Sequence, residues 1–131
     1  MHVSAEILRA SVLAKLPPVE VEAVDRGAKH RYAGVLVRDL LSRAGVPLEN
    51  SLRESTRSLV VRVTGLDNYT VDFALAEFDP AFSDRSIVLA ERQDGGPLPE
   101  NARPFRLVVL GDEHGARWVR RVKSIEVVSM K

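Results

Sequence analysis

Residues 103–128 read RPFRLVVLGDEHGARWVRRVKSIEVV, an apolar strand followed by a polar turn and a basic strand. Side chains alternate along a strand, so Leu107 and Val109 face one side while Arg106 lies on the other. Both sides are mostly apolar, and a guanidinium among buried apolar residues needs a carboxylate, a phosphate or several carbonyl groups around it. Arg106 is therefore expected to have an anionic partner.

Two kinds of partner for Arg106 agree with this pattern. One is an Asp or Glu of the same chain, because structural ion pairs of this sort are common. The other is a bound anion, because a cluster of cations follows the turn and arginine suits bidentate contacts with phosphate. The clustered cations are Arg117, Arg120, Arg121 and Lys123. The sequence leaves both partners open.

The length and composition of the chain predict a single globular domain over residues 1–131. Hydrophobic residues make up 45% and charged residues 28%, which excludes the disordered and fibrous classes. A formal net charge of +1 gives no general attraction for nucleic acid, so base stacking on Trp118 is only a third interpretation. No apolar run approaches the length of a membrane span.

The residues that usually carry chemistry are sparse. The chain has no cysteine, which excludes disulfides, thiolate metal sites and cysteine nucleophiles. His2, His30 and His114 are too far apart in sequence to predict a metal site, and no catalytic residue is assigned. The first residues lack the layout of a signal peptide, so we expect a cytoplasmic protein, or a periplasmic one if a signal was removed.

Hydrophobic periodicity predicts an α+β fold dominated by about six short strands. An amphipathic helix is predicted at residues 36–44 and ends at Gly45. Strands at 59–64 and 69–75 form a hairpin, and the charged stretch 25–31 is predicted as a loop. The remaining predicted elements are strands at 19–24, 86–91 and from 105, helical turns at 11–16 and 76–78, and a rigid loop at 94–99.

Three stretches carry a resemblance to a known family. They are YAGVLVRDLLSRAGV from Tyr32, LDNYTVDFALAEF from Leu66, and residues 87–127, IVLAERQDGGPLPENARPFRLVVLGDEHGARWVRRVKSIEV. Their order and spacing resemble the oxidoreductase molybdopterin-binding domain, the catalytic domain of sulfite oxidases and related molybdoenzymes. The resemblance implies a compact, mainly β domain with mixed sheets, one clear helix and two or three short helical turns.

The resemblance also implies which residues bind the cofactor, a molybdenum ion held by the dithiolene of a pterin. The pterin ring and phosphate are held in the family by an Asn, by an Arg five residues later and by a basic turn before the last strand. By resemblance these roles fall to Asn101, to Arg106, and to Arg117 and Arg120. Trp118 lies in the same turn, where the family usually has a small residue, and its indole would fill space near the cofactor.

The chain departs from the family at the metal. The family's catalytic cysteine, a thiolate ligand of molybdenum, would fall near Ala23 and Val24, and neither residue is a metal ligand. One interpretation is a non-catalytic relative without a cofactor, which binds a small anionic ligand or a protein partner. The alternative is a molybdopterin-dependent oxidoreductase domain that holds molybdenum without a cysteine ligand.

Overall fold

The computed structural model describes residues 13–50, 58–112 and 115–129, without the side chain of Asn50. These residues form two antiparallel sheets, one complete α-helix and three short 3-10 helices. The strands are β1 (Pro18–Asp25), β2 (Ala28–Leu36), β3 (Leu59–Gly65), β4 (Thr70–Ala74), β5 (Ile87–Gln93), β6 (Gly96–Pro97), β7 (Arg106–Val109) and β8 (Val122–Ser129). The helix is α1 (Val37–Arg43), and the 3-10 helices are Leu48–Asn50, Leu75–Phe78 and Glu100–Ala102.

The first sheet has the order β1-β2-β5, and both β6 and β7 pair with the far edge of β5. A two-residue turn joins β1 to β2, and both of its residues have positive φ, 51° at Arg26 and 79° at Gly27. Such turns match the natural twist of a hairpin. A bulge follows at Gly34, where an added Cβ would lie 2.0 Å from the carbonyl oxygen of Leu89, so no larger residue fits there.

The second sheet has the order β4-β3-β8, and its strand β3 carries Val61 and Val63 into the core. Residues 119–122 connect this sheet to the first one. Val119 accepts a hydrogen bond from the backbone N–H of Leu107, and Val122 donates one to Phe105, each at 2.8 Å. Residues 103–128 thus supply a strand to each sheet and the segment that holds the two sheets together.

The apolar core lies between the sheets and helix α1, which buries Val37, Leu40 and Leu41. No helix in the described ranges is long and apolar enough to cross a membrane. Among the core residues, Tyr32 and Phe73 are completely buried aromatic side chains. Two charged residues in the described ranges are also buried, Arg106 at 5% and Asp79 at 0% exposure.

Most of the predicted elements are confirmed. The helix predicted at 36–44 is α1, and the hairpin predicted from 59–64 and 69–75 is β3 and β4. The mainly β, α+β class is confirmed, although every pairing among the described strands is antiparallel, which replaces the mixed sheets of the prediction. The predicted turn at 11–16 lies partly outside the described residues.

The predicted loop at 25–31 is wrong, because strand β2 begins at Ala28. The charges that indicated a loop instead pair across the hairpin on its exposed face. Arg31 donates to Glu20 at 2.7 Å, and the ammonium of Lys29 lies 3.7 Å from Glu22. Opposite charges that lie diagonally across two paired strands are compatible with a sheet that has one face in water.

Candidate functional site

Strands β1 and β7 bring Asp25 and Arg106 together at one end of the first sheet. Asp25 is the last residue of β1, and the tight turn after it fixes where its carboxylate lies. The Nη1 of Arg106 lies 3.0 Å from Oδ2 of Asp25, whose side chain is 17% exposed. Asp25 is thus a carboxylate of the same chain, the first of the two kinds of partner predicted for Arg106.

This ion pair leaves the guanidinium of Arg106 incompletely satisfied. Its Nη1 is 3.5 Å from the hydroxyl of Tyr32, which is a long contact, and its buried Nε has no described hydrogen-bond partner. An unpaired buried donor costs on the order of 1–3 kcal/mol. Burial also raises the pKa of Tyr32, so its phenol stays neutral at ordinary pH. Arg106 therefore retains an unused donor.

The indole of Trp118 packs over this ion pair. The guanidinium carbon of Arg106 lies 5.2 Å from the centroid of the Trp118 ring, within the range of a cation–π contact. The indole also meets Tyr32 edge to face, with centroids 5.9 Å apart, and its Nε1 donates to the carbonyl of Val109 at 3.1 Å. Trp118 is 4% exposed, so its ring is part of the core as well as a wall of the site.

An open cavity of about 220 Å³, which we call the Arg106 cleft, lies against these side chains. Its described lining consists of Asp25, Arg26, Asp67, Tyr69, Arg106, Gly115, Ala116, Trp118 and Arg120. Tyr69 spans part of the rim, since its hydroxyl donates to the carbonyl of Ala116 at 2.6 Å. The cleft thus combines three guanidinium groups, two carboxylates and two aromatic side chains.

Arg117 points away from the cleft and forms what we call the Arg117 network, with Asp112, Glu77 and Arg85. Its Nε and Nη2 donate to the two carboxylate oxygens of Asp112 at 2.8 and 3.2 Å, and its Nη1 donates to Glu77 at 2.8 Å. Arg85 donates to the same Asp112 at 2.9 Å. The hydrogen bonds from Arg117 hold the pKa of the Asp112 carboxyl below its usual value.

The five residues predicted to bind a cofactor are therefore divided by the structure. Arg106, Trp118 and Arg120 line the same cleft, whereas Arg117 belongs to its own network. Asn101 lies exposed in the 3-10 helix Glu100–Ala102 and is not part of the lining. The other two clustered cations are outside the lining as well, with Arg121 exposed and Lys123 bonded to Asn68 at 2.8 Å.

Sequence reasoning did not assign four of the cleft residues, Asp25, Arg26, Asp67 and Tyr69. Asp25 and Asp67 both lie at turns, where an acidic residue is ordinary and carries no functional signal. The pairing of Asp25 with Arg106 depends on strand order, since their strands are separated in the sheet by β2 and β5. The sequence indicated only that Arg106, a charged residue in an apolar strand, needs an anionic partner. It did not indicate which residue provides it.

His30 forms a hydrogen bond with a carboxylate next to the end of strand β5. Its Nδ1 lies 2.7 Å from Oδ2 of Asp94, and the Oδ1 of Asp94 accepts the backbone N–H of Arg31. The hydrogen bond from Arg31, and after it the one from His30, lowers the pKa of Asp94. No group of three potential ligands among the described residues could hold a metal ion. His2 and His114 lie outside those residues.

A comparison with protein families gives one match. The model of the family described as oxidoreductase molybdopterin binding domain matches residues 13–131. No curated protein matches the chain. The matched region includes both sheets, the Arg106 cleft and the Arg117 network.

Proposed function

The chain belongs to the oxidoreductase molybdopterin-binding domain family, and from that premise we propose that it is a non-catalytic relative that acts as a ligand- or partner-binding module. Membership fixes the scaffold, and function depends on which side chains the scaffold carries. The site of binding in this proposal is the Arg106 cleft.

The observation that carries the proposal is the internal partner of Arg106. By resemblance, this arginine holds an anionic part of the cofactor. Here its Nη1 lies 3.0 Å from the carboxylate of Asp25, and the Trp118 indole covers it. A phosphate entering the cleft would meet the charges of Asp25 and Asp67, and like charges at close range repel. The chain's own carboxylate thus already pairs with the Nη1 side of the Arg106 guanidinium.

The residues present do not fit a molybdenum cofactor of the family's kind. The chain has no cysteine, and the positions of the expected thiolate are Ala23, which is buried, and Val24, which is 53% exposed. The cleft of about 220 Å³ is also smaller than the roughly 300–1,000 Å³ typical of pockets for drug-sized ligands. No reaction step through such a cofactor is derived for this chain.

One observation favours the alternative, a cofactor-binding oxidoreductase domain without a cysteine ligand. Within the described residues, no carboxylate pairs with the guanidinium groups of Arg26 and Arg120, although both line the cleft. Together with the unpartnered Nε of Arg106 they offer three donor groups to an anion. A pterin phosphate is one such anion, so the alternative has to be tested directly.

The test is to produce the protein in a host that makes the cofactor, then measure molybdenum by elemental analysis and pterin by fluorescence after oxidative release. We expect a folded protein with neither. Near-stoichiometric molybdenum and pterin, retained in Arg121→Gln and lost in Arg120→Gln, would overturn the proposal and establish the alternative. Arg121 is the matched control because it carries the same charge next to Arg120 but lies outside the lining.

A further inference from the structure

Some charged side chains of the Arg106 cleft have a hydrogen-bonding partner among the described residues, and others have none. Asp25 is held by Arg106, and Oδ1 of Asp67 accepts the backbone N–H of Tyr69 at 3.1 Å. Arg26 and Arg120 have no hydrogen bond or ion pair from their side chains among the described residues. Among the described residues, the lining therefore carries three positive and two negative groups, and the surplus positive charge is on the unpaired guanidinium groups.

The buried Nε of Arg106 adds an unused donor to this surplus. This Nε belongs to a residue that is only 5% exposed, and no described acceptor lies within hydrogen-bonding distance of it. The Nε edge of a guanidinium is one of the edges that bind a carboxylate with two parallel hydrogen bonds. An oxyanion that enters beside Arg106 and displaces the atoms that cover Nε would satisfy this donor.

The two carboxylates of the lining limit the charge of that oxyanion. Each unit of negative charge on a ligand is repelled by Asp25 and Asp67 as well as attracted by the arginines, so a dianion meets twice the repulsion of a monoanion. A single surplus positive charge is neutralised by a ligand of charge −1. A carboxylate meets this condition fully at neutral pH, whereas sulfate does not and inorganic phosphate is a mixture of monoanion and dianion.

The size and walls of the cleft limit the rest of the ligand. Its volume of about 220 Å³ equals roughly seven water molecules at about 30 Å³ each, which is room for a molecule of few non-hydrogen atoms. Trp118 and Tyr69 provide apolar surface beside the charged groups. A short aliphatic or hydroxylated chain would lie against these rings.

We propose that the Arg106 cleft binds a small monocarboxylate, with its carboxylate between Arg106 and Arg120 and its carbon chain against Trp118. This rests on the proposed function, since a resident cofactor would occupy the same groups. The carboxylate of the ligand would pair with Arg120, which has no carboxylate partner among the described residues. Asp25 and Asp67 would repel multiply charged anions.

Trp118 makes the test specific, because it is the single tryptophan of the chain. We would titrate the protein with acetate, propionate and lactate at pH 7.5, holding ionic strength constant with chloride, and follow Trp118 fluorescence. We expect saturable changes with dissociation constants on the order of 1 mM, as suits so few ligand atoms. Inorganic phosphate and sulfate should bind about tenfold more weakly or not at all.

Three variants complete the test. Arg120→Gln should weaken carboxylate binding about tenfold, because it removes a charged donor. Arg121→Gln, which removes the same charge outside the lining, should bind like the unaltered protein. Asp67→Asn should reduce the preference for carboxylate over phosphate. Folding of each variant is checked by circular dichroism.

Three outcomes would overturn the inference: no saturable response to any carboxylate, tighter binding of phosphate than of carboxylates, or equal losses in Arg120→Gln and Arg121→Gln. These failures are distinct from failure of the proposed function. A protein free of molybdenum that ignores carboxylates refutes the carboxylate ligand and leaves the non-catalytic role standing. A protein loaded with molybdenum and pterin refutes the non-catalytic role, whatever the titration gives.

Discussion

Arg106 and Arg117 belong to the same stretch of sequence, yet they have opposite environments. Arg117, with a side chain 29% exposed, donates three hydrogen bonds to two carboxylates. Arg106 is more deeply buried, but in the part of the chain that the structure describes its only ion pair is with Asp25 and its Nε has no partner. The Arg117 network is complete without a ligand, whereas the Arg106 cleft has donors left over. A basic cluster in a sequence thus need not form one site.

The largest expected difference between the two arginines is in stability. Arg106→Met leaves Asp25 unpaired in a mostly buried position, and breaking such a pair typically costs about 3–5 kcal/mol of unfolding free energy. We expect about 3 kcal/mol, since Asp25 can still reach water. Urea unfolding followed by circular dichroism measures this value.

The double variant Arg106→Met with Asp25→Leu is the control, because it removes both charges and should recover most of the loss. If the double variant were as unstable as Arg106→Met, the cost would come from packing of the Arg106 stem and not from the stranded carboxylate.

A smaller loss of stability is expected from Arg117→Met. It removes two hydrogen bonds from Arg117 to Asp112 and one to Glu77 in the 3-10 helix Leu75–Phe78, but water can reach the carboxylates that remain. We expect about 1–2 kcal/mol of unfolding free energy, measured in the same way. Arg121→Met, at an exposed position, should change it by less than about 0.5 kcal/mol. A loss from Arg117→Met equal to that from Arg106→Met would remove the contrast between the two sites.

The smallest expected effect is a pH dependence of the Arg117 network. Arg117 lowers the pKa of Asp112 in the folded state, so the folded protein binds that proton less readily than the unfolded chain does. The resulting stability is fully present above the unfolded pKa of about 3.9 and is lost as pH falls through the lower folded pKa. The difference in unfolding free energy between the unaltered protein and Arg117→Met should therefore shrink below about pH 4. Urea unfolding at a series of pH values tests this, and a difference that grows on acidification would contradict it.

The fold was largely predictable because its signals are local. Helix α1 follows from the spacing of Leu40 and Leu41, and strand β7 follows from its run of apolar residues. Strand β2 was not predictable in its first half, because Lys29 and Arg31 look like loop residues until Glu22 and Glu20 are placed on the neighbouring strand, diagonally across from them. The local pattern of residue types does not show which residue will be the neighbour on the adjacent strand.

The candidate site was predictable only in part for the same reason. The charge of Arg106 in an apolar strand required an anion, and the structure provides Asp25 from a distant hairpin. The cations after the turn cannot be told apart by residue type. In the structure, Arg120 lines the cleft, whereas Arg117 donates a hydrogen bond to Asp112. Which side of a turn each side chain takes depends on backbone geometry that residue types alone do not specify.

The pairing of β3 with β8 affects the order in which the strands can pair while the chain is synthesised. Leu59 pairs with Ser129 and Gly65 with Val122, so strand β3 leaves the ribosome long before its neighbour does. While residues 66–121 are being synthesised, one edge of β3 stays unpaired, and the apolar side chains of Val61 and Val63 lack their final cover. Such an edge readily pairs with other chains. The β1–β2 and β3–β4 hairpins can both form early, whereas the free edge of β3 must wait for the last strand and depends until then on protection from aggregation.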